Sequence, residues 1–154
     1  MAYVQIKRWL YRDQRPNWIA QIINRAWAVV GAMGIAPNYI VQLEVRGAKS
    51  GRTIVLPVVV AIVDKQRYLV SMLGNNVQWV RNVRAANGMA FIRNGRRMKV
   101  CLEEVPVDRR APILKAYLQR APGARPHIPV DQHAPVAEFE KIAADYPVFH
   151  VVSE

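Results

Sequence analysis

Between Val41 and Val105 the chain repeats one device: a run of β-branched and apolar residues, then a short turn. Val41, Leu43 and Val45 alternate with Gln42, Glu44 and Arg46, the period-2 pattern of a half-buried strand. Ile54 to Val63 is a near-continuous β-branched run interrupted by Pro57. Proline has no N–H to give to a ladder, so this strand is expected to be buried, with a bulge or a sheet edge at the proline. Asp64-Lys65-Gln66 turns the chain into a run from Tyr68 to Leu73. Met89 to Arg93 and Arg96 to Val105 flank Asn94-Gly95, whose tolerance of positive φ favours a two-residue type I′ hairpin. Pro147 precedes a last strand, Val148 to Val152. About six strands joined mostly by hairpins do not fit a doubly wound parallel sheet. The expected fold is mainly β (α+β), a small, partly open antiparallel barrel with helices at its periphery.

Helical spacing marks four segments. From about Asn17 to Met33 the residues Trp18, Ile19, Ile22, Ile23, Ala26, Trp27 and Val30 recur at helical intervals behind a capping asparagine. Gly31, Gly34 and Pro37 break this segment well short of the roughly 20 continuous apolar residues of a membrane span. It either packs on the core or lies at a lipid surface, where indoles and the nearby Lys7, Arg8, Arg12, Arg15 and Arg25 are favourable. A second helix, Gln78 to Ala86, has Asn75 or Asn76 as cap and Trp79 and Val83 on one face. A third runs from Asp108 to about Arg120, with Pro112 in its first turn and Pro122-Gly123 as its stop. A fourth, Pro135 to Ala144, carries Phe139 and Ile142, and Ala121 to Ala134 is an irregular lid or binding loop.

The chain has 154 residues, a single cysteine (Cys101) and scattered histidines at His127, His133 and His150. That excludes a disulfide scaffold and a thiolate metal centre, so no metal is expected. The charged N-terminal stretch is no secretory signal, and a cytoplasmic home is expected. The net charge of +11 attracts polyanions. From Lys65 to Cys101 there is no acidic residue, while Lys65, Arg67, Arg81, Arg84, Arg93, Arg96, Arg97 and Lys99 are basic. Such a run serves either as a solvated face or as an anion site.

Gly47-Ala48-Lys49-Ser50-Gly51-Arg52 is the most suggestive motif, because flanking glycines let backbone N–H groups point into a turn while Lys49, Ser50 and Arg52 add charge and a hydroxyl. Lys49-Ser50 mimics the end of a Walker loop, but no glycine stands at the upstream spacing and a strand follows, which excludes that site. The turn is either a phosphate cradle or an ordinary solvated hairpin. Trp79, Arg81 and Asn82 on one short helix suit a planar anionic ring, or else Trp79 packs into the core. No Gly-x-Ser-x-Gly elbow exists, Cys101 has no histidine beside it in sequence, and the neighbours Glu103 and Glu104 point to opposite faces of a strand. A bound cofactor would therefore have to supply any reaction. Tyr117, His133 and Tyr146 are the candidate proton donors.

The spacing Gly47-x-Lys49-Ser50-Gly51-Arg52, a strand with Pro57, Gly74, Trp79-Val80-Arg81-Asn82 and Tyr146-Pro147-Val148-Phe149 resembles the deazaflavin (F420)-dependent nitroreductase family of split β-barrel oxidoreductases. The resemblance implies coenzyme F420 (8-hydroxy-5-deazaflavin), with FMN as the alternative flavin. It also implies hydride transfer to a quinone, a nitro compound or an unsaturated lipophilic small molecule. Carried over by position, Ala48, Lys49, Ser50, Gly51 and Arg52 would hold the phosphate or acidic tail, and Leu56, Pro57 and Val58 would line the ring. Ser71, Met72, Leu73 and Gly74, with Gln78, Trp79, Val80, Arg81 and Asn82, would complete the cradle. Trp18 and Phe139 are the candidate substrate contacts. Two positions depart from the family, Ala48 and Ile54 standing where basic residues are common, and His133, Glu138 and Phe139 replace the substrate-facing tyrosines of its nitroreducing members. The expected organisation is an N-terminal amphipathic segment over 1–38 and a barrel over 39–154. The N-terminal helix would either close the site or deliver lipophilic substrate from a membrane surface, leaving the protein cytoplasmic or peripheral at the membrane's inner face, and the resemblance allows a homodimer. A non-catalytic lipid- or flavin-binding barrel is the rival. Nucleic acid is not expected, because the basic stretch largely lacks interleaved aromatics.

Overall fold

A computed structural model describes residues 40–153; the expected helix at Asn17 to Met33, and Trp18 with it, lie outside the described residues. Six antiparallel strands form the barrel: β1 (Ile40–Arg46), β2 (Thr53–Val63), β3 (Gln66–Val70), β4 (Met89–Asn94), β5 (Arg96–Glu104) and β6 (Val148–Ser153). Their order around the ring is β1-β2-β3-β6-β5-β4, and the ring closes where β4 pairs with β1 at Gln42–Glu44. The sequence pattern sets the faces. Val41, Leu43 and Val45 stand opposite Val58, Leu56 and Ile54, and this ladder points into the barrel with Leu69, Ile92, Val100, Leu102 and Phe149.

A second core lies outside the barrel wall. Ala61, Val70 and Val148 turn outward beneath α2 (Ala111–Arg120) and α3 (Val136–Glu140), whose Ile113, Leu114, Tyr117, Leu118 and Phe139 cover them. β2 therefore feeds both cores, which is why it reads as a continuous apolar run instead of an alternating one. Pro57 sits in regular register with Gln42, without a bulge. β3 pairs with β2 only at Val60–Val63, so the first half of β2 is the edge that tolerates a residue without an N–H.

Several local expectations need correction. Asn94 stays in β4 opposite Arg96, and Gly95 alone, at φ +82°, reverses the chain. The two-residue turn with both residues left-handed lies instead at Asp64 (φ 51°) and Lys65 (φ 66°), between the paired Val63 and Gln66. α1 (Gln78–Ala85) starts after Val77 with no side-chain cap, because Asn75 and Asn76 are turned to Ala144 and Arg81. Asp108 belongs to a 3-10 turn, Val107–Arg109, ahead of α2. The expected fourth helix divides into α3 and the 3-10 turn Ala143–Asp145, and the irregular loop contains the 3-10 segment Pro122–His127.

Candidate cofactor site

The Gly47–Arg52 loop joins β1 to β2 at the barrel rim, and its own backbone closes it. Gly47 N–H donates to Arg52 O (2.7 Å), Gly51 N–H to Gly47 O (2.9 Å), and Arg52 N–H to Ser50 Oγ (3.1 Å). A Cβ on Gly47 would lie 2.7 Å from Ser50 Oγ, and Gly51 has φ +72°, so both glycines are required by the turn itself. A fourth amide, Ala48 N–H, reaches across to α1 and donates to Asn82 Oδ1 at 2.9 Å. Among the described residues the amides of Lys49 and Ser50 have no hydrogen-bond partner and the Lys49 ammonium makes no ion pair. Two successive unengaged N–H groups beside a cation are what an anionic oxygen needs. The residues present fit a phosphate.

α1 stands against this loop. Asn82, fully buried, accepts from both Ala48 N–H and Gln78 Nε2 (3.0 Å), and Gln78 Oε1 accepts from Arg81 Nη2 (3.1 Å). Trp79 is half-buried beside Leu56, Val58 and Val77 on the inner core, its ring 5.7 Å from that of Phe149. The turn at Ser71 to Gly74 is fixed by Ser71 Oγ–H to Gly74 O (2.6 Å) and by Ser71 N–H to Pro147 O (2.9 Å). Leu73, at 60% exposure, is the most open of the expected apolar lining residues.

The structure thus joins the loop to α1 and seats Leu56, Val58 and Trp79 on one core. It does not bring every expected residue to that rim. Val80 is fully buried in the inner core, so only its backbone can face a ligand. Ile54 is also fully buried, which explains an apolar residue there. Phe139 is fully buried in the outer core, so it packs α3 and cannot line a substrate site unless that core opens. Tyr117 is buried in the same cluster, and desolvation pushes its phenol far above the usual tyrosine range. His133 is exposed on the loop before α3, its backbone held by Asp131 (2.7 Å). Tyr146 adjoins the Ser71–Gly74 turn through its neighbours Asp145 and Pro147, but its hydroxyl donates to His127 O (3.0 Å). Burial, with Asp145 adding to it, raises its pKa and keeps the phenol protonated at neutral pH.

Sequence reading missed how the acid-free stretch is neutralised from outside. Glu44, only 8% exposed, accepts from Arg97 (2.8 Å) and Arg93 (3.4 Å), and Arg97 also stacks 3.6 Å over the Phe91 ring. Glu104 binds Arg84 of α1 (2.6 Å) and the buried Arg110 (3.1 Å). No one-dimensional signal marks these pairs, since their partners are 20 to 53 residues apart or held by a turn. A separate cavity of about 310 Å³, lined by Tyr68, His150, Glu103 and Arg109 among others, includes none of the expected cofactor residues.

The Arg84 hydrogen bond, with the charges of Arg84 and Arg110, holds the Glu104 carboxyl below the usual range against an opposing effect of burial. A pKa lowered on folding adds stability that is complete above the unfolded value, near 4.5, and is lost as pH falls through the folded one. Wild type is therefore expected to exceed Glu104→Gln in urea midpoint at about pH 7, and the gap is expected to close as pH falls below the unfolded value and through the folded one. The gap should be about 1 kcal/mol or less, because Glu104 remains partly solvated.

The sequence profile of the F420H(2)-dependent quinone reductase family matches residues 15–137. No curated protein matches the chain. Among solved structures, a protein of unknown function from Agrobacterium tumefaciens superposes with TM-score 0.55 at 12% identity, over 75% of this chain and 48% of that one. This chain thus spans about half the length of that protein. An F420-H2 dependent reductase superposes with TM-score 0.50 at 22% identity, over 73% and 93%. A structure described as a domain-swapped dimer does so with TM-score 0.50 at 21% identity, over 88% and 97%. At these identities the structural likeness establishes the barrel fold. Fold and rim together define a closed six-stranded antiparallel barrel with a basic, glycine-flanked loop at its rim. The chain belongs to the F420H(2)-dependent quinone reductase family.

Proposed function

We propose that the protein reduces a quinone, or a related nitro or unsaturated lipophilic acceptor, with F420 held across the loop and α1. When bound, the reduced deazaflavin supplies the hydride, and the chain's own task is to bind, orient and exclude water. The observation that carries this reading is the pair of unengaged amides at Lys49 and Ser50 beside the Lys49 ammonium. These, with Arg52, would receive the phosphate or acidic tail, and Leu56, Val58 and Trp79 would meet the ring. Tyr146, whose neighbours Asp145 and Pro147 flank the Ser71–Gly74 turn, is the proton-donor candidate that its chain neighbours tie to the cradle, and its hydroxyl would have to leave His127 O to serve.

We further propose a cytoplasmic enzyme that meets lipophilic substrate at a membrane surface through its N-terminal segment, and that acts as a homodimer. Among the described residues no helix is long and apolar enough to cross a membrane.

The test is a titration with F420 and, separately, FMN, followed by Trp fluorescence. Saturable quenching by F420 is expected. Lys49→Ala should weaken it about tenfold, equivalent to ~1.4 kcal/mol, with no change in melting temperature because the side chain is exposed. Binding of neither flavin would sink the cofactor assignment and leave a lipid- or polyanion-binding barrel.

A further inference from the structure

Asn82 uses one end of its amide and leaves the other idle. The side chain is fully buried; Oδ1 accepts from Ala48 N–H (2.9 Å) and from Gln78 Nε2 (3.0 Å), whereas Nδ2 has no partner. A buried donor left unpaired costs stability, and a position that only filled space would be better served by an apolar side chain. What the position uses is a neutral acceptor aimed at the loop. A carboxylate would accept the same two bonds, but it would bury a charge with its second oxygen unpaired and set it beside the anion the loop is built to receive. The idle Nδ2 is the consequence of keeping that acceptor uncharged.

The acceptor also decides which amides remain for a ligand. With Gly47, Gly51 and Arg52 engaged inside the loop, Ala48 is the amide that α1 takes, and Lys49 and Ser50 are left. Gln78 extends the connection to Arg81, so the first turns of α1 and the loop share one hydrogen-bond network.

We propose that Asn82 is a positioning residue: by holding the Ala48 amide with an uncharged oxygen, it fixes the loop so that the Lys49 and Ser50 amides stand open to a phosphate-bearing ligand. It rests on the F420 reading above, and deepens it by separating the residue that shapes the cradle from those that touch the ligand.

Two substitutions test it, read by amide hydrogen exchange of the ligand-free protein and by F420 titration. In Asn82→Ala the Ala48 amide should lose its protection, exchanging about 10- to 100-fold faster, and the F420 Kd should rise about tenfold. Asn82→Asp keeps the acceptor, so Ala48 should stay protected. The ratio of its F420 affinity to that of wild type at the same pH should be small at about pH 8 and recover toward one at about pH 5.5 as the buried carboxyl protonates. Should Asn82→Ala fold poorly, the pH profile of Asn82→Asp decides alone. A protected Ala48 amide or an unchanged Kd in Asn82→Ala, or an Asn82→Asp profile parallel to wild type, would overturn the proposal while leaving the cofactor reading intact. Absence of F420 binding by wild type would overturn both.

Discussion

Replacing Arg110 by Met is expected to lower the free energy of unfolding by about 2 to 4 kcal/mol, because buried carbonyls lose their donor at about 1 to 3 kcal/mol each while Glu104 keeps Arg84. The guanidinium is 5% exposed and spends its donors on three backbone carbonyls and one carboxylate. Nε reaches Val105 O (2.8 Å), Nη1 reaches Ala143 O (3.1 Å) and Tyr146 O (3.4 Å), and Nη2 reaches Glu104 Oε2 (3.1 Å). Burial pulls the Arg110 pKa down, yet the group stays charged at any physiological pH. Swapping a buried ion pair for apolar residues is often neutral, but here the Val105 and Tyr146 carbonyls would lose this donor, and Ala143 O would keep only the Tyr146 N–H. Against a total stability of about 5 to 15 kcal/mol, that loss is large. Urea unfolding at neutral pH measures it. Arg110→Lys should recover only part, because one ammonium cannot span the same fork of acceptors. A shift under about 1 kcal/mol in Arg110→Met would mean that water replaces the guanidinium at these carbonyls.

Phe139→Ala is expected to cost about 3 to 5 kcal/mol, the range for deleting a buried aromatic ring that leaves a cavity. Phe139 is among the largest fully buried side chains and lies in the outer core with Leu114, Leu118 and Val148. Its effect should appear in thermal and urea unfolding, with F420 affinity of the remaining folded protein unchanged. A substrate-contacting residue would behave the other way, raising KM with little change in melting temperature. Such a result would return Phe139 to the substrate site.

The difference between those two outcomes shows what could be read in one dimension. Phe139 sits on a short helix next to Glu138 and Glu140, and a lone aromatic in such a segment carries no mark of whether it faces a cavity or a core. Trp79 is open in the same way, and the structure seats it half-buried against the inner core on the helix whose Asn82 holds the loop. The type I′ turn went to Asp64-Lys65 rather than to Asn94-Gly95, because the registers of β2 with β3 and of β4 with β5 set the loop lengths.

The sequence by itself determined the strands, their antiparallel pairing through short turns, the glycine-flanked basic loop and the helix after it. Each of these follows from interactions within a few residues: side-chain alternation, the φ range of glycine, the missing N–H of proline. Only the tertiary structure decided that the ring closes at Gln42–Glu44 and that β2 serves two cores. It alone showed that Glu44 and Glu104 neutralise arginines far along the chain, and that Asn82 holds the Ala48 amide 34 residues away. Those contacts depend on loop closure and barrel register, which bring together groups whose chemistry is plain in the sequence but whose proximity is not.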